Sequence, residues 1–238
     1  MSGVHFIRLE CGSANAIDEA LLKTLTDELQ AALDAEKKAV VLTGYENFFS
    51  AGLNLKGLPE DRDGMTSFVE RFEDANLALL RFPLPVVAAV NGHAIAGGCV
   101  LACAADLRIG ASGRHKLGVS EVSLGIVFPA TAFEIMRDTL TAAWTPEVLL
   151  GGKLLGPDEA KAAGILHHVV APEQLIDEAT ARAEELAAKP RLAFHHTKVS
   201  LRAPMLERIE TTREEAKQGF LKSWFSPDVV ERRRAMLS

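Results

Sequence analysis

Two short segments rich in small residues could together stabilise a negative charge. Ser50-Ala51-Gly52-Leu53 follows the pair Val40-Val41, and Ile95-Ala96-Gly97-Gly98 follows Val86-Val87, each after about ten positions. Glycine and alanine allow close backbone approach and unusual dihedral angles. If the two turns face each other, two peptide N–H groups can point at one oxygen atom and form an oxyanion hole. The spacing alone also fits two ordinary strand-to-helix turns.

Glu121 is the candidate for proton transfer. It lies among small and apolar residues, in Leu117-Gly118-Val119-Ser120-Glu121-Val122-Ser123-Leu124-Gly125-Ile126. A carboxyl half buried among such neighbours would have a raised pKa and could exchange protons near neutral pH. The alternative is a solvated carboxylate on a surface loop.

Other chemical motifs are not found in the sequence. It contains no dinucleotide-binding glycine motif, no P-loop and no nucleophile elbow. Cys99 and Cys103 are four residues apart in an apolar run, which favours buried thiols over metal ligands. The adjacent histidine pairs at 167–168 and 195–196 diverge on a strand or a helix, so neither pair predicts a shared metal. We therefore expect no metal site.

The composition is that of an ordinary globular protein. Hydrophobic residues make up 48% of the 238 residues, and the net charge of −6 disfavours nucleic-acid and anionic-membrane partners. The apolar stretch from Phe82 to Ala105 contains prolines and glycines, so it does not predict a membrane span. Three cysteines cannot build a disulfide framework. A reducing compartment is expected, and we predict a cytoplasmic protein.

Strands and helices alternate over the first half of the chain. Asp18 is a predicted N-cap for a helix with apolar residues at helical spacing, and Met65–Leu80 is a second amphipathic helix. This alternation predicts α/β layers with parallel strand pairing. The predicted strands are Val4–Leu9, Ala39–Leu42, Pro85–Val90, Leu107–Ala111 and His167–Ala171.

After about residue 129 the sequence becomes mostly helical. Thr131 and Glu134 have capping-box spacing, and Thr145-Pro146-Glu147 places a predicted N-cap and a proline where another helix should start. Further helices are predicted over Pro172–Ala188 and Met205–Leu237. Pro190 and Pro204 are predicted to break the helical structure. The last helix carries apolar side chains that either pack on its own domain or dock on a neighbouring subunit: Ile209, Phe220, Trp224 and Phe225.

Three segments carry a family resemblance. Phe49-Ser50-Ala51-Gly52-Leu53-Asn54-Leu55-Lys56, the stretch from Val90 to Ile109 and the Glu121 segment resemble, in order and separation, the signatures of the crotonase (enoyl-CoA hydratase/isomerase) superfamily. The resemblance implies an α/β fold, a crotonase-like spiral of ββα units. It implies a spiral core over residues 1–190 and a C-terminal helical trimerisation region over residues 191–238. It also implies a homotrimer or a dimer of trimers.

The resemblance assigns roles to the residues of these segments. The N–H groups of Leu53 and Gly97 would hold the thioester oxygen of an acyl-CoA, and Glu121 would be the catalytic carboxylate. Because the coenzyme A thioester is itself the substrate, no separate cofactor is expected. Lys56 is placed where it could reach a CoA phosphate or remain solvated. Residues expected to contact the substrate or CoA are Ala51, Gly52, Leu53, Asn54, Leu55, Gly97 and Ser120.

The departures from the family pattern narrow the expected reaction. Hydratases of the family resemble one another in carrying a second glutamate where this sequence has Val100. A chain with one carboxylate resembles the mitochondrial-type Δ3,Δ2-enoyl-CoA isomerases, which move a C3 double bond of an acyl-CoA to C2. Asn54 and Ser120 depart from the aspartate and asparagine of that subgroup. These two differences bear on which acyl groups are accepted and on the surroundings of the catalytic Glu121.

Two alternatives stay open at this stage. A hydratase could draw its second acid from elsewhere, such as Asp63 or Glu134. A protein that keeps the fold could bind acyl-CoA without catalysis. Four apolar residues are candidates either for an acyl tunnel or for ordinary core packing: Val100, Phe128, Phe133 and Ile135.

Overall fold

The chain forms two parallel β-sheets surrounded by helices. The computed structural model describes residues 3–237, without the side chain of residue 237. The larger sheet has the strand order β1-β2-β4-β6-β8, and the smaller sheet has the order β3-β5-β7. The larger sheet contains Val4–Arg8 (β1), Ala39–Thr43 (β2), Val86–Val90 (β4), Leu107–Ala111 (β6) and His168–Val170 (β8). The smaller one contains Phe48–Ser50 (β3), His93–Ile95 (β5) and Leu117–Gly118 (β7).

Successive ββα units wind into a spiral, as the resemblance implied. In each unit a strand of the larger sheet is followed by a strand of the smaller sheet and then by a helix. The helices of these units are Arg62–Arg81 (α2), Gly97–Cys103 (α3) and Glu121–Leu124 (α4). The strands of the smaller sheet were not predicted, because elements of two or three residues are too short to display a period.

The remaining helices include the predicted N-terminal one. Helix α1 spans Glu19–Asp34, and the Asp18 carboxylate accepts a hydrogen bond from the Leu21 N–H at 3.0 Å, which confirms the N-cap. The other helices are Ala130–Thr139 (α5), Pro157–Ala163 (α6), Leu175–Ala187 (α7), Arg191–Trp224 (α8) and Pro227–Leu237 (α9). Single turns of other helix types span Ser13–Asn15, Pro146–Leu150 and Pro172–Gln174. Within the described residues, no helix is both long and apolar enough to cross a membrane.

Two predicted helix caps are wrong. The Thr131 N–H donates to the Glu73 carboxylate at 3.3 Å, while the Glu134 carboxylate is bound by Arg208, so no capping box forms. At the second site Pro146 does begin a helical turn, but the Thr145 hydroxyl donates back to the Thr141 carbonyl. At the first site, distant residues replace the partners that a capping box would use. At the second, the threonine hydroxyl bonds to the turn before it and not to the helix that follows.

Pro204 does not end a helix. Helix α8 runs through it from Arg191 to Trp224. The helix ends there, and α9 begins at Pro227. A proline inside a helix removes one hydrogen bond and crowds the preceding turn. Here Arg202 on one side of Pro204 and Arg208 on the other are bound to carboxylates of the spiral core, which holds both halves of the helix in place. The division into residues 1–190 and 191–238 stays a prediction, and residues 1, 2 and 238 lie outside the described part.

A largely enclosed carboxylate, that of Asp106, joins α8 to the larger sheet. Asp106 accepts hydrogen bonds from Lys198 at 2.8 Å, from Arg202 at 2.7 Å and from the Val86 N–H at 2.8 Å. Burial lowers the pKa of Lys198 to about 8, against the opposing effect of Asp106. Two cations therefore depend on one anion for charge compensation.

We expect Asp106→Ala to destabilise the fold strongly, because it leaves Lys198 and Arg202 buried without their carboxylate. The expected loss in the free energy of unfolding is about 3–5 kcal/mol, measured by urea denaturation. Glu19→Ala is the matched control, since it removes a surface ion pair with Arg71 and should cost less than about 1 kcal/mol. Equal effects of the two substitutions would contradict the role given to Asp106.

Candidate active site

The first of the two small-residue turns, residues 50–53, is fixed by the N-terminal segment. The Ser50 hydroxyl donates to the Asn15 carbonyl at 2.7 Å and accepts from the Gly52 N–H at 3.2 Å. On either side of Leu53, the Ile17 N–H donates to the Gly52 carbonyl and the Asn54 N–H donates to the Ile17 carbonyl. This parallel bridge uses the backbone around Leu53 and leaves the Leu53 N–H on the opposite side. No helix begins here; the chain runs as a loop to α2.

The second turn, residues 95–98, contains a strained residue. Ala96 has φ 51° and ψ −128°, a backbone conformation that residues other than glycine rarely adopt. Its N–H donates to the Gly118 carbonyl, and its carbonyl accepts from the Cys99 and Val100 N–H groups. These bonds hold Ala96 as the N-cap residue of α3. As a result, the Gly97 N–H is the first of the N-terminal helical donors that have no partner within the helix.

The two turns are in direct contact, as the sequence hypothesis required. A Cβ atom built on Gly52 would lie 2.9 Å from the Ala96 Cβ and 3.5 Å from the Gly97 nitrogen. A Cβ atom on Gly98 would lie 2.4 Å from the Ser50 carbonyl oxygen. Only glycine fits at these two contacts, so the small residues are there to let the turns approach each other.

Two peptide N–H groups at this contact lack an acceptor. Throughout residues 3–237, no oxygen accepts a hydrogen bond from the N–H of Leu53 or of Gly97. Both residues line the same cavity. Because buried N–H groups are nearly always paired, two unpaired donors on one cavity wall are what an oxyanion hole requires. Their binding of a thioester oxygen stays a prediction.

Glu121 occupies the first position of α4 and lines the same cavity as Leu53 and Gly97. Its carboxylate oxygen Oε2 is fully enclosed and has no hydrogen-bond partner among the described residues. Burial raises the pKa of Glu121 to about 7, against the opposing effect of the backbone N–H groups of Glu121 and Ser120. The alternative of a solvated surface carboxylate is therefore wrong. The carboxyl can accept or donate a proton near neutral pH.

The cavity has a volume of about 780 Å³ including its open mouth. It brings together six of the predicted site residues: Ala51, Leu53, Leu55, Gly97, Ser120 and Glu121. The other two do not line it: Gly52 is buried, and the Asn54 amide donates to the Asp18 carboxylate at 3.2 Å. Among the described residues that line the cavity, Glu121 is the one ionisable residue.

Most of the apolar wall was missed at the sequence level. It is formed largely by residues that helical periodicity identified only as a buried face: Phe68, Val69 and Phe72 of α2, and Phe220 and Trp224 of α8. The candidates Val100 and Ile135 are in the core instead, and Phe133 is partly exposed on the outside. Phe220 and Trp224 are 1% exposed and stack on each other, so they pack on their own domain. Periodicity identifies a buried face but not whether it meets a core or a cavity.

The two cysteines of α3 are buried free thiols, as expected. Among the described residues there is no cluster of three or more histidine, cysteine, aspartate or glutamate side chains that could hold a metal ion.

Comparison with known proteins assigns the chain to a family. A family model described as enoyl-CoA hydratase/isomerase matches residues 1–237. The chain is 37% identical to a putative enoyl-CoA hydratase of Thermus thermophilus over 191 residues, covering 77% of this chain and 72% of the relative. It is 30% identical to carnitinyl-CoA dehydratase of Escherichia coli, with 94% and 88% covered. The crystal structure of human mitochondrial Δ3,Δ2-enoyl-CoA isomerase superposes with a TM-score of 0.92 at 28% identity, covering 99% of this chain and 93% of that one.

The chain therefore belongs to the enoyl-CoA hydratase/isomerase family of the crotonase superfamily. The whole-chain match and the spiral of ββα units agree on this assignment.

The raised pKa of Glu121 predicts a pH-dependent effect on stability. The unfolded chain ionises this group near pH 4.5 and the folded chain near pH 7, so the free energy of unfolding falls as the pH rises between those values. Glu121→Gln removes that penalty, and its stability relative to the parent should increase by roughly 3 kcal/mol from below pH 4.5 to above pH 7. Urea denaturation across this range measures the difference. A difference independent of pH would contradict the assignment.

Proposed function

We propose that this protein is a Δ3,Δ2-enoyl-CoA isomerase that shuttles one proton with Glu121. The observation that carries the proposal is the cavity itself. Within residues 3–237, its wall has two unpaired N–H groups, those of Leu53 and Gly97, and one ionisable residue, Glu121. Moving a double bond needs one group that removes a proton from C2 and returns it to C4, whereas hydration must also activate a water molecule.

The proposed reaction has two proton transfers and no net change in composition. The Leu53 and Gly97 N–H groups bind the thioester oxygen and make the C2–H more acidic. The Glu121 carboxylate takes the C2 proton, and the electron pair of that bond forms the C1–C2 double bond of a dienolate. The protonated carboxyl then gives its proton to C4: the C3–C4 π pair forms the new C4–H bond, the C1–C2 π pair moves to C2–C3, and the thioester carbonyl re-forms. The thioester accepts the charge throughout, so the proposal requires no metal or redox cofactor.

The environment of Glu121 suits both steps. A carboxyl with a pKa of about 7 is near the optimum for a group that must be a base and then an acid at neutral pH. The enclosed oxygen Oε2 has no competing hydrogen-bond donor among the described residues. Each unpaired N–H group of the oxyanion hole is worth on the order of 3 kcal/mol in reactions of this type.

A neighbouring cleft supports acyl-CoA as the substrate class. This cleft of about 830 Å³ shares Leu55 and Trp224 with the cavity and is bordered by Lys56, Arg233 and Arg234. The Arg233 guanidinium lies 3.9 Å from the Trp224 ring centre, and its buried Nε has no acceptor in the described chain. Cations beside the mouth of an apolar cavity suit the phosphates of CoA. Lys56 thus lies where such a contact is feasible.

Hydratase activity is the second candidate, because hydratase names are common among the relatives. Three features argue against it. Val100 is a fully buried hydrocarbon side chain where hydratases resemble one another in having glutamate. Asp63 is exposed outside the cavity, and Glu134 is bound to Arg208 and Arg137.

A non-catalytic acyl-CoA-binding role would give no reason for an enclosed carboxyl without a partner.

We also propose that the protein works as a homotrimer or a dimer of trimers in the cytoplasm. Helix α8 presents apolar side chains to solvent in the single chain, with Leu192 and Leu201 exposed by 72% and 78%. A second copy covering them would remove this apolar surface from water. The free thiols of the chain are compatible with a reducing compartment.

Glu121→Gln should abolish isomerisation while binding is kept. We expect a loss of about 10³-fold in the rate of converting 3-hexenoyl-CoA to trans-2-hexenoyl-CoA, with hexanoyl-CoA affinity within about threefold of the parent. Asp63→Asn is the control and should retain full activity. Incubating the parent with trans-2-hexenoyl-CoA in D2O should exchange hydrogen at C4 without forming 3-hydroxyhexanoyl-CoA. Efficient hydration would favour the second candidate, and no exchange would indicate a binding protein.

The pH dependence of kcat/KM provides a separate test. Because Glu121 must start as a base, kcat/KM should rise with pH and level off above about pH 7. Initial rates with 3-hexenoyl-CoA between pH 5 and pH 9 give the profile. A flat profile across pH 7 would contradict Glu121 as the base.

A further inference from the structure

The carboxyl of Glu121 is held by backbone groups. Within the described chain its oxygen Oε2 has no hydrogen-bond partner. The groups that bind the carboxyl are the backbone N–H groups of Ser120 and of Glu121 itself. The carboxyl therefore takes its position from the backbone at the start of α4, and whatever holds that backbone also positions the carboxyl.

Helix α4 is a single turn with little support of its own. None of its four residues is fully buried, and its N-cap Ser120 makes no side-chain hydrogen bond to it. A helix this short closes too few hydrogen bonds to be stable alone. Its position must come from the segments that pack around it.

The chain that leaves α4 is bound first to Glu121 and then to α8. The Glu121 carbonyl accepts a hydrogen bond from the Ile126 N–H at 2.9 Å. The next N–H, that of Val127, donates to the Ser223 hydroxyl at 3.0 Å, and this hydroxyl donates to the Phe220 carbonyl at 2.8 Å. Two successive N–H groups thus join the backbone of Glu121 to α8.

Close packing at the same place leaves the segment little room to shift. A Cβ atom built on Gly219 of α8 would lie 3.2 Å from a methyl carbon of Val127. A Cβ atom built on Gly125 would lie 3.2 Å from a methyl carbon of Val229 in α9, and Val229 is buried. The segment from Gly125 to Val127 therefore lies against both α8 and α9.

The turn of α8 that carries Ser223 also forms part of the cavity wall. Phe220 precedes Ser223 by three residues and Trp224 follows it, and both line the same cavity as Glu121. Because the Ser223 hydroxyl is bound to the Phe220 carbonyl, it connects this wall directly to the segment that follows α4.

We propose that Ser223 is a positioning residue for Glu121. Its hydroxyl fixes the end of α4 to the turn of α8 that forms the wall, and this holds the carboxyl in one position relative to that wall. Ser223 is not among the residues that line the cavity, so it takes no part in the proton transfers. Its effect on the rate rests on the proposed function, whereas the placement of Glu121 is a property of the folded chain.

The effect on the rate is tested with Ser223→Ala, which removes the acceptor of the Val127 N–H and keeps the cavity lining. We expect kcat for 3-hexenoyl-CoA to fall roughly 10- to 100-fold, because small displacements of a catalytic group cost this much. The KM and the calorimetric Kd of hexanoyl-CoA should stay within about threefold of the parent. Ser223→Thr keeps the hydroxyl and should recover most of the lost kcat.

Ser226→Ala is the matched control. The Ser226 hydroxyl donates to the Ser223 carbonyl at 2.7 Å, so this variant removes one serine hydrogen bond from the same turn and leaves the bond to Val127 in place. Its kcat should stay within about twofold of the parent. An equal loss of kcat in both alanine variants, or a raised KM with unchanged kcat in Ser223→Ala, would overturn the proposal.

A second measurement follows Glu121 without any turnover. The difference in urea stability between the parent and Glu121→Gln depends on pH, because burial raises the pKa of the carboxyl to about 7. In the Ser223→Ala background this dependence should shrink by at least about a third, since a less firmly enclosed carboxyl is better hydrated and its pKa falls. The Ser226→Ala background should keep the full dependence.

The two measurements separate the positioning role from the reaction. An unchanged pH dependence in the Ser223→Ala background would overturn the positioning role, whatever the activity. If the dependence shrinks while the parent shows no 3-enoyl-CoA turnover, the proposed reaction fails and the positioning role stands. Thermal melting checks that each variant is folded. Ser223→Cys, with a similar size and a weaker acceptor, should give smaller changes in the same direction and replaces an alanine variant that does not fold.

Discussion

The site depends on the close approach of two backbone turns. At Gly98 a side chain would collide with the carbonyl of Ser50, and at Gly52 it would collide with Ala96. These contacts place the end of the smaller sheet's first strand against the start of α3, which puts the Leu53 and Gly97 N–H groups on one wall. The spiral of ββα units supplies this juxtaposition, because β3 and β5 are parallel neighbours in the same sheet. The chemistry then requires only one carboxyl from the following unit, and β7 leads directly to Glu121.

Long-range ion pairs hold the helical part against this core. The apolar wall of the cavity is made partly of α8, whose charged residues bind carboxylates on α2, on α5 and just before β6. Pairs of this kind are costly to bury and contribute little net stability, but they fix one arrangement among several of similar packing. They also explain how α8 passes through Pro204 without breaking.

The sequence was sufficient for the spiral fold and for choosing Leu53, Gly97 and Glu121, which line one cavity while their catalytic roles stay predictions. It was weakest where contacts are long-range. The burial of Glu121 could be predicted because its immediate neighbours are small and apolar. The displaced caps at Thr131 and Thr145, and the continuity of α8 at Pro204, could not be predicted, because distant or preceding partners decide them. The aromatic wall was visible only as helical periodicity, which does not distinguish a surface facing protein from one facing empty space. Asn54 lay in a recognisable segment, yet its amide is engaged by the Asp18 cap.

The dihedral angles of Ala96 limit which residues can replace it over evolutionary time. A conformation of this kind costs of order 1–3 kcal/mol for a residue with a Cβ atom and nothing for glycine, and the strain grows for branched side chains. We expect neutral drift at this codon to be confined to alanine and glycine, whereas the exposed faces of α8 and α9 can vary widely. A single backbone torsion would thus restrict the residues allowed at position 96, and neither the hydrophobicity nor the charge of the sequence would reveal that restriction.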